Sequence, residues 1–225
     1  MRIMIFLCFG NSLTSGYPGY SPSFDGISEG YGDLKSQYEF WLIDFCFNLL
    51  NEKNKIQNID INIDFVNKGI PGELTEDLLR RIEVDLVNYI PKPNYSIILG
   101  GSNDLGWNIE IKKIFENIKV LHKISRDNDI LSIGATIPPI RSEMSMIDYN
   151  KEKIKLNEIL KEYFRDQRIP YADLNYGMSD NNGNLKKEYA YPDGLHFTVE
   201  GYRQMANIIL QDAIKQIIES KYIQL

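Results

Sequence analysis

Residues 1–16, MRIMIFLCFGNSLTSG, run from an apolar stretch directly into a glycine, a small polar pair and a second glycine. The β-rich apolar run at residues 3–9 predicts a buried strand, and Gly10 predicts a sharp turn that carries Ser12. A basic residue before a short apolar run also occurs in secretory signals. This run, however, is at the lower limit of length, and no small-residue cleavage site closes it. We therefore expect the segment to be the first strand of the fold.

Composition limits the classes of protein to which the chain can belong. Its 225 residues, with 43% hydrophobic and 25% charged side chains, predict one domain over residues 1–225 with a core of its own. No apolar run approaches the ~20 residues that cross a bilayer, so we expect no membrane span. The formal net charge of -6 disfavours a nucleic-acid partner, because phosphate binding requires clustered lysine and arginine.

Cysteine and histidine are scarce, which argues against a metal centre. Cys8 and Cys46 are expected to be small buried hydrophobic residues rather than a disulfide or a metal-binding pair. This use of cysteine fits a reducing cytoplasm, which is the expected location of the protein. No cysteine–histidine spacing of the zinc type occurs, so we predict neither a metal site nor a cofactor. His122 lies in a helical pattern and is expected to be a packing or surface residue. His196 is then the remaining candidate for a general base.

Short apolar runs alternate along the chain with longer helical patterns. The predicted strands are residues 3–9, 61–66, 95–99, 130–135 and 170–174. The predicted helices are residues 37–50, 73–89, 109–126, 148–166 and 199–220. Such alternation implies parallel strands, right-handed crossovers and helices on both faces of the sheet. The predicted fold is a three-layer α/β/α sandwich with a flavodoxin-like parallel sheet of about five strands.

Four polar segments follow predicted strands or precede the last helix. Ligands of open α/β sheets bind beyond the carboxyl ends of the strands, so these segments are expected to meet at one edge. They are residues 10–16, 67–72, 100–104 and 191–196.

Ser12, His196 and Asp193 form a candidate catalytic set. A serine hydroxyl is a weak nucleophile unless a positioned base takes its proton, and His196 in YPDGLHF is the available base. A turn at Gly194 can fold the Asp193 carboxylate onto one imidazole nitrogen and leave the other free for the serine. Each segment also suits an ordinary turn or helix cap, so neither decides the matter alone.

Acyl transfer also requires hydrogen-bond donors for the developing oxyanion. Gly72 in NKGIPG can offer a backbone N–H, and Asn103 in GGSND can donate from its side-chain amide. Ser102, in the same segment, is a rival nucleophile, but no histidine is near it in sequence. A structural role is therefore favoured for Ser102.

Taken in order, GNSLTSG, NKGIPG, GGSND and DGLH resemble the four conserved blocks of the SGNH hydrolases, also called the GDSL esterase/lipase family. The resemblance spans nearly the whole chain. It implies Ser12 as nucleophile and, through its backbone N–H, as one oxyanion donor, with Gly72 and Asn103 as the others. It also implies Asp193 as the orienting acid and His196 as the base. The implied reaction is cofactor-free ester hydrolysis through an acyl-serine.

Asn11 is a departure from the family, which usually has aspartate before the serine. The residue belongs to no triad, so the change concerns the hydrogen bonding and charge beside the nucleophile. It also supports a different hypothesis, in which the chain is a catalytically impaired binding module of the same fold. A flavodoxin-like cofactor binder is disfavoured, because the first loop lacks a phosphate cradle and no Gly-x-Gly-x-x-Gly occurs.

The substrate of the predicted enzyme is a small-molecule ester of unspecified acyl group, since the family acts on lipids, thioesters and acetylated sugars. A long aromatic-rich segment, residues 17–38, is expected to line or cover the pocket, although its rings would equally suit a packed surface loop. The segment 137–146 is expected to assist it. The predicted substrate-binding residues are Tyr17, Tyr20, Trp107 and Tyr191.

Overall fold

The computed structural model describes residues 2–21, 30–54, 61–141 and 147–222. The strands are β1 (Arg2–Gly10), β2 (Tyr20–Ser21), β3 (Tyr31–Gly32), β4 (Ile61–Gly69), β5 (Tyr95–Leu99), β6 (Leu131–Ala135) and β7 (Tyr171–Ala172). The helices are α1 (Ser12–Ser15), α2 (Tyr38–Asn54), α3 (Thr75–Ile82), α4 (Ser102–Gly106), α5 (Ile111–Asp127), α6 (Ile147–Asp166), α7 (Leu174–Met178), α8 (Val199–Ile209) and α9 (Lys215–Tyr222).

Five parallel strands form the main sheet in the order β4-β1-β5-β6-β7. Numbered among themselves along the chain, these strands have the order 2-1-3-4-5, which is that of flavodoxin-like folds. The predicted α/β sandwich with a parallel sheet of about five strands is therefore confirmed. The prediction did not include β2 and β3, a short antiparallel pair within the segment 17–38.

Alternation along β1 divides the core into two layers. Phe6 and Cys8 belong to a cluster that includes side chains of α2 and α8, whereas Leu7 and Phe9 pack with side chains of α3 and α5. Successive side chains of a strand point to opposite faces, so a run buried throughout requires a helical layer on each side. Cys46 of α2 is also buried, and both cysteines are free.

The ends of several elements differ from the predicted ones. Strand β7 contains two residues where five were predicted, and α3 begins at Thr75 because residues 70–74 form a loop. Two helices pass through π-helical turns, Glu83–Val87 after α3 and Leu210–Ile214 between α8 and α9. Strand β4 also continues to Gly69, three residues past its predicted end, so Asn67 and Lys68 of the second segment lie in the strand and residues 70–72 lie in the loop.

Candidate active site

The turn after β1 places Ser12 at the start of α1. A Cβ on Gly10 would lie 2.6 Å from the Leu99 carbonyl oxygen, so only glycine fits where the ends of β1 and β5 pair. The Asn11 side chain caps α1 by accepting the Leu13 N–H at 3.1 Å. Ser12 is 6% exposed. The strand thus ends at Gly10, and Ser12 follows two residues later as the first residue of a capped helical turn.

Ser12, His196 and Asp193 are joined by hydrogen bonds although 184 residues separate the serine from the histidine. His196 Nε2 lies 3.0 Å from Ser12 Oγ, and His196 Nδ1 lies 2.7 Å from Asp193 Oδ2. The other Asp193 oxygen accepts the backbone N–H groups of Leu195 and His196, each at 2.9 Å. Gly194 has a φ of 70°, which lets the chain fold the carboxylate back onto the ring.

The surroundings of Asp193 favour its ionised form. Partial burial raises the pKa of this carboxyl, but the hydrogen bonds from the His196 backbone, the His196 ring and the Leu195 backbone outweigh it. The pKa therefore lies below its usual value. A carboxylate that is ionised at neutral pH can hold the Nδ1–H tautomer of His196, which leaves Nε2 to accept a proton from Ser12.

The aromatic ring of Tyr17 contacts the imidazole ring of His196. The two ring centroids are 4.9 Å apart in an edge-on arrangement, and the hydroxyl of Tyr202, a buried residue of α8, donates to the Tyr17 carbonyl at 2.7 Å. The predicted substrate residue Tyr17 therefore packs against the candidate base.

The three predicted oxyanion donors retain free N–H groups. Within the described part of the chain, the backbone N–H groups of Ser12 and Gly72 donate no hydrogen bond. Asn103 donates one amide proton to the Glu73 carbonyl at 2.9 Å, which leaves its second amide proton available. Gly72 has a φ of 85° and open space around a hypothetical Cβ.

Two residues that the sequence analysis missed anchor the loop at residues 70–74. The Arg81 guanidinium binds the Glu73 carboxylate, with a shortest distance of 2.6 Å, and donates to the Gly10 and Lys68 carbonyls at 3.0 Å. It also stacks on the Phe9 ring, with the guanidinium carbon 4.2 Å from the centroid. No local motif marks Arg81, because its partners are spread over three segments.

Asp104 is the second anchor. Its carboxylate is 2% exposed and accepts the Thr75 backbone N–H and, at 2.6 Å, the Thr75 hydroxyl. Burial raises the pKa of Asp104, and the hydrogen bonds from Thr75 offset part of this rise. The position of Asp104 directly after Asn103, in the short helix that follows β5, was a signal that could have identified it. Through Asp104, the Asn103 segment is held against the start of α3.

A cavity of about 230 Å³ opens beside the candidate triad. Its polar lining is supplied by Ser12, Ser102, Asn103 and His196. The remaining wall is formed by Leu13, Gly106, Trp107, Pro138, Ile140, Tyr149 and Leu195. The arrangement of a few polar groups on an apolar wall is typical of small-molecule sites.

Of the predicted substrate residues, Trp107 lines this cavity. Tyr17, Tyr20 and Tyr191 are not among its described lining residues; Tyr20 lies in β2, and the Tyr191 backbone pairs with the His196 carbonyl. The segment 137–146 contributes Pro138 and Ile140 to the cavity wall. Residues 142–146 of this segment and residues 22–29 of the aromatic segment 17–38 lie outside the described residues. Sequence reasoning missed Tyr149 and Leu195.

A buried acidic side chain lies behind the nucleophile turn. Glu39 of α2 is 4% exposed, and burial raises its pKa from the usual 4.5 to about 8, although the Cys8 thiol, the Tyr38 hydroxyl and the Asn67 amide favour its charged form. Neither carboxylate oxygen meets hydrogen-bond geometry with a described residue. Asn67 also donates to the Thr14 carbonyl of α1 at 2.6 Å. Asn67 therefore connects the buried Glu39 side chain to the turn that carries Ser12.

Two further searches cover the described residues only. No group of three or more histidine, cysteine, aspartate or glutamate side chains among them could hold a metal ion. Within the same ranges, every helix is too short or too polar to cross a membrane. His122 is fully buried and packs against Phe164 with ring centroids 5.2 Å apart, so of the two predicted locations the packing one applies.

Comparison with known proteins identifies relatives of this chain. In solved structures, a G-D-S-L family protein from Desulfitobacterium hafniense is similar with a TM-score of 0.71 at 19% identity, over 92% of this chain and 98% of that chain. The lipase/acylhydrolase from Enterococcus faecalis has a TM-score of 0.63 at 25% identity, with 94% of both chains covered. A variant of an acetyl-xylooligosaccharide esterase from Geobacillus has a TM-score of 0.68 at 19% identity, over 94% and 96%.

Sequence comparison with curated proteins finds no match. The model of the GDSL-like lipase/acylhydrolase family matches residues 8–204, a span that runs from near the end of β1 into α8 and includes all four polar segments. The chain therefore belongs to the GDSL-like lipase/acylhydrolase family.

Proposed function

We propose that this protein is a serine ester hydrolase that cleaves carboxylic esters through an acyl-serine intermediate. The observation that carries the proposal is the unbroken hydrogen-bonded chain from Asp193 through His196 to Ser12, beside a cavity of about 230 Å³. We also propose that residues 1–225 form a single catalytic domain, because the family match extends over residues 8–204.

In the first half of the reaction, Ser12 Oγ attacks the carbonyl carbon of the ester while His196 Nε2 takes the hydroxyl proton. The Asp193 carboxylate stabilises the imidazolium that forms. The N–H groups of Ser12, Gly72 and Asn103 stabilise the negative oxygen of the tetrahedral intermediate. When the intermediate collapses, the bond to the alcohol oxygen breaks and His196 returns the proton to that oxygen.

In the second half, a water molecule attacks the acyl-serine and gives a proton to His196 Nε2. Collapse of the second intermediate breaks the bond between the acyl carbon and Ser12 Oγ, which regains the proton from His196. The products are one alcohol and one carboxylic acid, and each group on the protein returns to its initial state. The cavity of about 230 Å³ supports a small-molecule ester as the substrate class, and one structural neighbour is an acetyl-xylooligosaccharide esterase.

The experiment that tests this proposal combines turnover with covalent labelling. We expect the protein to hydrolyse p-nitrophenyl acetate and to lose this activity as a fluorophosphonate labels Ser12, as located by mass spectrometry. Ser12→Ala should neither turn over nor take the label, whereas the control Ser220→Ala, in α9 on a different part of the surface, should do both. Labelling without turnover would instead support the catalytically impaired binding module.

A further inference from the structure

Asn11 and Ser102 form a contact beside the candidate nucleophile. Asn11 is fully buried, and its Nδ2 lies 3.0 Å from Ser102 Oγ. The orientation of the amide is determined by its other end, where Oδ1 faces the Leu13 backbone N–H at 3.1 Å. A backbone N–H can only donate, so the oxygen of the amide must be on that side and the NH₂ group must face Ser102.

This orientation determines how the Ser102 hydroxyl can be used. A hydroxyl has one proton to donate and two lone pairs that accept, whereas an amide NH₂ only donates. Ser102 must therefore accept from Asn11, and its own proton is directed elsewhere. Within the described part of the chain, no group accepts that proton, and Ser102 lines the same cavity as Ser12, Asn103 and His196.

We propose that Ser102 is a substrate-binding residue whose hydroxyl donates a hydrogen bond to an acceptor oxygen of the substrate, and that Asn11 imposes this polarity. The inference rests on the proposed ester hydrolysis and adds a substrate preference to it. An aspartate at position 11 would keep the Leu13 bond through one oxygen and accept the Ser102 proton with the other. Only lone pairs of Ser102 would then face the cavity.

The predicted preference is a higher kcat/KM for esters that carry an additional oxygen atom than for alkyl esters of the same shape. The net contribution of one hydrogen bond between neutral groups raises kcat/KM for the ester with the additional oxygen by about fivefold to tenfold over the alkyl ester. The substrate class is therefore an ester that has a further ether, hydroxyl or ester oxygen near its reacting carbonyl, as in acylated polyols.

Two pairs of substrates test the inference. On the acyl side, p-nitrophenyl methoxyacetate is compared with p-nitrophenyl butyrate; on the alcohol side, 2-methoxyethyl acetate is compared with butyl acetate. Within each pair an ether oxygen replaces a methylene group. The kcat/KM ratio within a pair is measured for the parent protein, Ser102→Ala, Ser102→Thr, Asn11→Asp and the double variant Asn11→Asp/Ser102→Ala. Dividing each ratio by that of the parent removes the intrinsic reactivity of the esters.

We expect Ser102→Ala to lower the ratio of at least one pair by about fivefold to tenfold, and Ser102→Thr to restore it, because threonine keeps the hydroxyl. Asn11→Asp should lower the same ratio, and adding Ser102→Ala to it should change the ratio little further. Melting temperatures verify that each variant is folded, and ratios among folded molecules do not depend on the folded fraction. The ratio should be unaffected in the remote control Ser220→Ala.

The outcomes separate this inference from the proposed function. Turnover of the alkyl esters with ratios that Ser102→Ala leaves unchanged for both pairs would overturn the role of Ser102 and leave ester hydrolysis intact. A ratio that falls in Ser102→Ala but not in Asn11→Asp would overturn the part assigned to Asn11. If the parent protein turns over none of the four esters, the proposed function and the inference are both overturned.

Discussion

Replacing Glu39 by glutamine removes a titrating group from the buried layer behind the nucleophile turn. Burial raises the pKa of Glu39 to about 8 from the usual 4.5, which we take for the unfolded chain. Between these values the native state holds one more proton than the unfolded state. The stabilising contribution of Glu39 is thus fully present below about pH 4.5 and is lost as the pH rises towards about 8.

The size of this effect follows from the linkage between proton binding and folding. Each pKa unit corresponds to about 1.4 kcal/mol, so the Glu39 contribution to the free energy of unfolding decreases by roughly 2 to 3 kcal/mol between about pH 5 and pH 7. Glutamine has nearly the same shape and does not titrate in this range. The free energy of unfolding of Glu39→Gln relative to the parent should therefore increase by roughly 2 to 3 kcal/mol over that interval.

Urea unfolding of both proteins at several pH values provides the measurement. The difference in free energy of unfolding between variant and parent is used, because His122 changes the stability of both proteins with pH. Burial lowers the pKa of His122 to about 3, so the contribution of His122 to stability decreases on acidification below about pH 6.5, in the direction opposite to Glu39. Glu158→Gln, at an exposed position of α6, is the matched control for removing one negative charge. A difference for Glu39→Gln that does not change with pH would refute the assignment of a buried neutral carboxyl.

The remaining predictions concern activity and the second buried titrating group. Ser12→Ala and His196→Ala should each lower kcat by roughly 10³-fold or more and the double variant little further, because the residues act as one unit; multiplicative losses would contradict the pairing. Asn103→Ala should lower kcat by about 10²-fold with little change in KM, since its bond strengthens on the oxyanion; an effect on KM alone would reassign it to substrate binding. Excess EDTA should leave esterase activity intact, because the chain supplies nucleophile, base and oxyanion donors, and an activity that returns only with added metal would contradict this. His122→Phe should reduce the loss of unfolding free energy from about pH 6.5 to pH 5 by roughly 1 to 2 kcal/mol, as measured by urea unfolding; unchanged acid sensitivity would exclude the buried neutral imidazole.

Local pattern was sufficient for the order of the five strands of the main sheet and of the long helices in this fold. Residues 4–9 of the apolar run that forms β1 are buried on both faces, and such a run requires helices on both sides of the sheet. The long helices were predictable because apolar residues recur every three to four residues, which matches one turn of helix. The same pattern does not show where a helix begins or ends. Strand β7, with two residues, depends on pairing with β6, which is a contact between distant segments.

The candidate site was predictable to the extent that it consists of short segments at strand ends. Ser12, Asn103 and the Asp193–His196 turn each carry a local signal, and parallel strands bring their carboxyl ends to one edge. Arg81 carries no such signal, because its partners lie on other elements. Asp104 stands beside Asn103 in the sequence, but nothing local identifies Thr75 as its partner.

The sequence by itself determined the class of fold, the family and the identity of the groups that could perform acyl transfer. It could not determine how those groups are oriented. Only the tertiary structure decided that the Asn11 amide faces Ser102, that Trp107 rather than Tyr20 lines the cavity, and that Glu39 is buried. The physical reason is that periodicity and turn chemistry act over a few residues, whereas the direction of a hydrogen bond and the pKa of a buried group depend on neighbours from the whole chain.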